Sequence, residues 1–555
     1  MTTPDNADPL RHLVTPSPVE NKNMSASSRR PLRKAVFIPT FSIIMVAVAT
    51  GLINNDMLVD VAKGVFYISL SDFGWLYQLI AVTALVVSGF IFFSRAGDIR
   101  LGGKDATPTF SFAATFAMAL TGGIATGVVT YSVNEPIIYL GNIYGEISHQ
   151  SFAPGSGEAA IFALARSFHN WSFIPYALYS IVGLMIGYMH FNRRERFSIS
   201  STVSPVLGRH GSKIWVRSLI DIISVLAIAL GLASSLGAGL ALISSGIEAQ
   251  YGIESNAMTW LVLTIAISAI FITSAVSGLK RGIRVLSSIN AYIFYAFVAI
   301  LIIVGPLNYI LSLSVTSLGY WADNFFLWAF DTKESGGEAL VTWWTMYDWS
   351  IWIAYAPLMG LFLARISYGR TLREFLIINW ILPSVFGLVW FAIWGGSALK
   401  WQMDGTLDLI SIINDSGAVS GLWGFLQHLP MASLLVPLAI FTLVISFATA
   451  ADSMSSTIAT ICTSNMSAEE ESPKQQKILW GLSIAAIAYV MVAFGGGAQG
   501  VDGIKYLAAA GGFTVVFLFV LILISAVRTF MTRSPQGAAE QPAEVSQPVT
   551  GGVNE

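Results

Sequence analysis

Charge is what this sequence has least of. Only 11% of its 555 residues are Asp, Glu, Lys or Arg, whereas a soluble domain carries about 25%. That scarcity excludes an ordinary water-facing surface. Sulfur chemistry is nearly missing too. The single Cys462 can form no intrachain disulfide, and six histidines without cysteine partners give no metal-site spacing. We read no metal and no cofactor into it. The net charge of −2 offers no basic field for nucleic acid. No nucleophile–base constellation appears, so an enzyme is not expected.

What is present is apolar. Hydrophobic residues make up 54% of the chain, gathered in runs of the ~20 residues that cross a bilayer as helix. The runs lie at about 35–54, 74–95, 110–142, 158–192, 216–249, 257–277, 285–313, 343–364, 375–398, 432–462, 478–496 and 503–528. The expected class is an all-α integral membrane protein of about twelve transmembrane helices, with the lipid bilayer as its surroundings. Residues 1–33 are polar and Pro/Ser-rich and read as a disordered tail, and 531–555 as a short polar tail. Twelve spans put both termini on one side. That side collects 25 of the 30 Lys and Arg, which makes it cytoplasmic. Segments 204–216 and 317–329 are amphipathic and are expected along the interface.

Polar or helix-breaking residues inside spans are read first as functional. The third span holds Thr121-Gly-Gly-Ile-Ala-Thr-Gly127. Gly123 and Gly127 there either let helices pack closely or open an unwound stretch near the midplane. In the eighth span Asp348, Trp352, Tyr355 and Met359 recur at i, i+4, i+7 and i+11, and so share a helix face. Interfacial belts account for Trp343 and Trp344, but Trp352 and Tyr355 lie mid-span. With Trp171, Tyr176 and Tyr179 of the fourth span they form either core aromatics or a box for an alkylated ammonium, which rings attract without a hydrogen bond. Asp348, one turn outward, would attract a cationic solute or hold a gate partner.

The same residues carry a resemblance. Trp344-Thr345…Trp352 followed by Ala364-Arg-Ile-Ser-Tyr-Gly-Arg-Thr-Leu-Arg-Glu374 resembles the signature of the betaine/carnitine/choline transporter family. Asn134-Glu-Pro136, Gly231…Ser235-Leu-Gly237, Ser277-Gly278…Gly282 and Ala451-Asp452-Ser453 follow the family's order. The resemblance implies a LeuT-type transporter domain over 34–530: two extra helices, then inverted five-helix repeats at about 110–313 and 343–528. It also implies a homotrimer in a bacterial-type inner membrane, moving quaternary-ammonium solutes by alternating access. The implied box is Trp171, Tyr176, Tyr179 and Trp352 with Tyr355 beside it. Trp344 then belongs to the outer pathway, and Gly123 and Gly127 approach the substrate. Ala125 replaces the motif's middle Gly, Ile351 a Trp and Asp348 an aromatic.

Sodium-coupled relatives carry hydroxyl ligands where this chain has Ile228, Leu232 and Ala450, with Thr449 kept. Arg284 and Met359 stand where sodium-independent carnitine/γ-butyrobetaine exchangers have Arg and Met, so Arg284 substitutes for a cation. The expectation is sodium-independent exchange or uniport. The alternatives are sodium- or proton-coupled uptake of glycine betaine, choline or a sulfonium analogue, and a membrane sensor on the same fold.

Overall fold

In a computed structural model, residues 31–532 are described except 125–126, 212, 278–279, 335, 465, 467–471 and 496–500; the side chains of 121–124, 275–277, 280–289, 291 and 501 also lie outside the description. Among the described residues the regular secondary structure is helical, apart from two isolated bridges, Leu32 with Thr463 and Arg100 with Thr371. Hydrocarbon offers backbone groups no partner, so a spanning segment must satisfy them within itself, as a helix does.

The chain opens with α1 (Lys34–Ile53), α2 (Asn55–Tyr67) and α3 (Gly74–Phe93). Two short helices follow, α4 (Phe112–Ile124) and α5 (Gly127–Gly141), then α6 (Gly157–Trp171) and α7 (Phe173–Phe191). A single turn, α8 (Ser204–Leu207), leads to α9 (Ile214–Tyr251), α10 (Ala257–Ser277), α11 (Lys280–Val304) and α12 (Leu307–Ala329). The second half contains α13 (Glu338–Leu340), α14 (Tyr347–Ile366), α15 (Leu372–Leu376), α16 (Leu382–Met403), α17 (Leu409–Ser416) and α18 (Gly421–His428). It ends with α19 (Ala432–Ile461), α20 (Lys474–Phe494) and α21 (Val501–Phe530).

Among the described residues ten stretches are long and apolar enough to cross a membrane, and eleven if the bent pair α11–α12 counts as one. The expected span at 110–142 accounts for the difference from twelve. It is carried by α4 and α5, of 13 and 15 residues, each too short to cross alone. The span expected at 285–313 ends at Val304, where the chain turns by 103° at Gly305-Pro306. Proline donates no backbone N–H and starts a helix well, so α12 runs across α11. Segment 204–216 forms short turns rather than one amphipathic helix. Pro205 starts a turn, and Gly208 takes φ +51°, a conformation other residues rarely adopt.

α14 sits at the centre, and glycines set how closely its neighbours approach. A Cβ on Gly360 would lie 2.6 Å from Val182 of α7, and one on Gly512 of α21 would lie 2.6 Å from the Ser350 carbonyl. On α9, a Cβ on Gly231 would meet the Tyr355 ring at 3.3 Å. Lipid-embedded helices associate through such small-residue contacts because burying apolar side chains gains little there. Outward, Val46, Ile53, Phe93, Ile265 and Val315 are exposed, a surface that belongs in hydrocarbon.

Candidate substrate site

A cavity of about 1260 Å³ opens between α4–α5, α9, α14 and α19. Arg33, Arg196, Arg217, Arg365 and Lys477 line one end, and Tyr131, Tyr347 and Asp348 the other. Arg365 and Asp348 share α14, so the two ends are about 25 Å apart at 1.5 Å per residue. Trp171, Tyr179, Trp352, Tyr355 and Met359 line the stretch between.

Trp352 is the hub of the aromatic cluster. Its ring centroid lies 4.5 Å from Tyr179, 5.2 Å from Tyr176 and 6.1 Å from Trp171. These are distances of rings in direct contact. The cluster is therefore closed on itself, and the faces left free are those turned to the cavity. Trp171 also stacks on Tyr131 and Phe391, both at 5.5 Å. Tyr176 braces Trp352 from behind and is not in the cavity lining. Tyr355 turns away toward α9, where its hydroxyl meets the Gly231 carbonyl at 3.0 Å and Ser235 Oγ at 2.5 Å.

A buried polar network fixes the fourth-span wall. Glu135, fully buried on α5, accepts from Trp171 Nε1 at 2.6 Å, Asn170 Nδ2 at 2.9 Å and the Tyr139 hydroxyl at 3.0 Å. Thr345 donates to Asn170 Oδ1 at 3.2 Å and accepts from Arg166 at 2.8 Å. Arg166 lies 5.0 Å over the Trp328 ring. A carboxylate inside a span needs partners of this kind to stay buried. A Cβ on Gly127 would come within 3.1 Å of the Trp171 ring, so this glycine makes room for the same indole.

Asp348 is 3% exposed, with Oδ2 lacking a hydrogen-bond partner. It closes the head of the cavity rather than ending a helix in solvent. Trp344 lies beyond that head. Its Nε1 donates to Glu146 Oε1 at 3.3 Å, and its ring packs on Tyr139 and Tyr131. Glu146 lies in the loop before α6, and burial pushes its carboxyl above the usual range. Met359 lines the cavity two turns below Trp352. Ile228 is fully buried, Leu232 and Ala450 line the cavity, and the Thr449 hydroxyl donates to its own helix at Ile445 O, 2.8 Å away. Gly123 lies in α4, but its side-chain surroundings and the Arg284 side chain lie outside the description.

The structure thus brings Trp171, Tyr176, Tyr179, Trp352, Tyr355 and Met359 together, with Gly127 and Asp348 at the rim. Sequence reading passed over Tyr131 and Phe391, and took Glu135 only as part of a motif without a role. A carboxylate within an apolar span was the available signal for Glu135. For Tyr131 it was the spacing of four residues from Gly127 on one helix.

The betaine/carnitine/choline family transporter model matches residues 35–535. A glycine betaine transporter of Bacillus subtilis is 32% identical, over 88% of this chain and 93% of its own. A probable glycine betaine transporter of Desulfitobacterium hafniense is 31% identical, over 89% and 97%. An ectoine/hydroxyectoine transporter of Virgibacillus pantothenticus is 27% identical, over 93% and 100%. A solved sodium-coupled sialic acid symporter is 14% identical over 82% of this chain and 86% of its own, with a TM-score of 0.40. Apolar spans, a central cavity and a match along nearly the whole chain agree: this is a multi-pass membrane transporter, not an enzyme, and it belongs to the betaine/carnitine/choline transporter family.

Proposed function

We propose that the chain moves small betaine-type zwitterions by alternating access, holding their cationic end on the cavity faces of Trp171, Tyr179 and Trp352. One observation carries the reading: Trp171 of α6 and Tyr179 of α7 converge on Trp352 of α14, and all three rings border the cavity. A quaternary nitrogen donates no hydrogen bond, so ring faces are its natural partners, worth about 2 kcal/mol or more where water is excluded. Met359 adds a polarizable side chain on the same helix face.

The cavity reaches the end lined by five basic side chains. With the positive-inside rule, that end is cytoplasmic and the state is inward-facing. In this reading both termini are cytoplasmic, segments 1–33 and 531–555 are tails, and 110–313 with 343–528 are inverted repeats. The assembly is a homotrimer in a bacterial inner membrane. Coupling is sodium-independent exchange, with Arg284 as a fixed positive charge. Ile228, Leu232 and Ala450 support this, because a hard cation needs oxygen ligands and those side chains have none.

A second solute class has its own support. Asp348 brings a carboxylate to the cavity head, which suits a cation bearing N–H groups, such as an ectoine-type solute, better than a quaternary one. The relatives include carriers named for both kinds. Uptake by proteoliposomes of labelled glycine betaine, γ-butyrobetaine, carnitine, choline and ectoine tests the proposal. Saturable uptake of at least one betaine is expected. Transport of none of them would overturn it.

A further inference from the structure

Lys505 lies on the first turns of α21, at the end of the bundle remote from the basic cavity mouth. Four contacts hold its ammonium. Nζ lies 4.8 Å from the Trp344 ring centroid, 5.3 Å from Tyr347 and 5.4 Å from Trp343. It also donates to the Trp343 carbonyl at 3.4 Å. All three rings are within the ~6 Å over which a ring face attracts a cation. Asp502, Glu146, Asp348 and Glu135 act on the same ammonium at longer range.

The three rings come from one place, the π-helical turn Val341–Met346 and the first residue of α14. The lysine comes from α21. The cage therefore joins the outer ends of two helices that both pack along the cavity. With the cavity reaching the basic end, the opposite end is the closed one, and this is a contact that crosses it.

We propose that Lys505 is a latch on the outer gate: a tethered cation seated in the Trp343–Trp344–Tyr347 cage, which holds α21 against α14 while the cavity faces the basic end. Opening the other end requires the ammonium to leave its rings. An ammonium suits this duty because ring faces grip it without fixing one direction, so it can leave and return with little loss of directed bonding. The proposal rests on the alternating-access reading above and not on which solute is carried.

The test reads conformation without solute. Ser453, exposed on α19 and lining the cavity, is replaced by Cys in a Cys462→Ser background. Its modification rate by a small methanethiosulfonate reagent then reports how often the cavity faces the basic end. Lys505→Met should slow modification about threefold or more, as loss of a multi-ring cation contact shifts the population. Lys505→Arg, which keeps a cation able to sit on rings, should restore most of the rate. Trp343→Leu leaves every charge in place and removes one of the three rings, so it should slow modification by a smaller factor. The double variant Lys505→Met/Trp343→Leu should be no slower than Lys505→Met alone, because without the ammonium the Trp343 ring has no latch contact left to lose. An unchanged rate in Trp343→Leu overturns the latch, even if Lys505→Met fails to fold. Effects that add in the double variant overturn it too, because they separate the charge from the cage. A wrong solute assignment would leave all these rates as predicted.

Discussion

Glu135 accepts a hydrogen bond from the indole of Trp171 at 2.6 Å, so a buried carboxylate on α5 aims an aromatic wall on α6. Glu135→Gln keeps the shape but turns one acceptor oxygen into an NH₂. Three donors converge on the carboxylate, and the amide cannot accept from all of them. A hydrogen bond to a charged group contributes about 1.5–3 kcal/mol. We expect substrate affinity to fall roughly tenfold or more, with the protein still folded. Titration of intrinsic tryptophan fluorescence with each betaine checks this. Wild-type affinity in Glu135→Gln would show that the indole needs no such hold.

Trp352 contacts three rings and borders the cavity, so the proposed substrate role must be separated from packing. Trp352→Ala should weaken binding about 30-fold, from ~2 kcal/mol of lost cation–π attraction. It should also lower the unfolding temperature, because a large buried ring leaves a cavity. Trp352→Phe keeps a weaker ring and should cost less on both measures. Uptake at matched surface expression, with thermal unfolding in detergent, separates the two effects. Equal transport by wild type and Trp352→Ala would remove Trp352 from the site.

Much of this was legible beforehand, and physics explains what was not. The spans were legible because lipid requires long apolar helices. The face carrying Asp348, Trp352, Tyr355 and Met359 was legible because helical spacing is local. That Trp171, 181 residues earlier in the chain, meets Trp352 was readable only from the family resemblance. Periodicity says nothing about which helix faces which. Lys505 was one more basic residue near a span end, since its cage is built from residues some 160 positions away. Pro205 and Gly208 could have warned that 204–216 would not hold one helix.

Gly127 tests the fit around the same indole. Its missing Cβ would lie 3.1 Å from Trp171 Cη2, closer than comfortable van der Waals contact. Gly127→Ala must push the ring or move α5. Because Glu135 pins the indole nitrogen, we expect a shift that lowers affinity several-fold while leaving the helix intact, for alanine is the better helix former. Combining Gly127→Ala with Trp171→Phe, a smaller ring, should recover part of the loss. No recovery would place the defect elsewhere.

Asp348 is buried rather than solvated, which sets the form of its effect. A charge exposed on the outer surface would act on uptake mainly at low ionic strength. One that is 3% exposed is shielded from salt, so Asp348→Asn should change uptake by a factor that varies little between low and high salt. If the carboxylate grips an N–H-bearing cation, the loss should be larger for ectoine than for glycine betaine. Equal losses for the two solutes would remove the second reading of the substrate.

The last prediction concerns coupling. The Thr449 hydroxyl is directed to its own helix, Ile228 is buried, and Leu232 and Ala450 bring hydrocarbon to the cavity wall. The side chains of Ile228, Leu232 and Ala450 offer sodium no oxygen, and it needs several. Uptake into proteoliposomes should therefore be the same in sodium and in potassium. A carrier without an ion to couple draws no work from the gradient, so accumulation should require counter-substrate loaded inside. In the proposed exchanger reading Arg284 serves as the fixed positive charge, since a guanidinium stays protonated at any working pH. Arg284→Ala should cripple exchange. Arg284→Lys should retain part of it, with the charge kept and the planar fork lost. The decisive condition is sodium outside only, with empty vesicles. Concentrative uptake there that collapses in potassium would establish sodium coupling and overturn the exchanger reading. It would leave the proposed aromatic site untouched, because rings attract a solute's cation whatever drives the cycle.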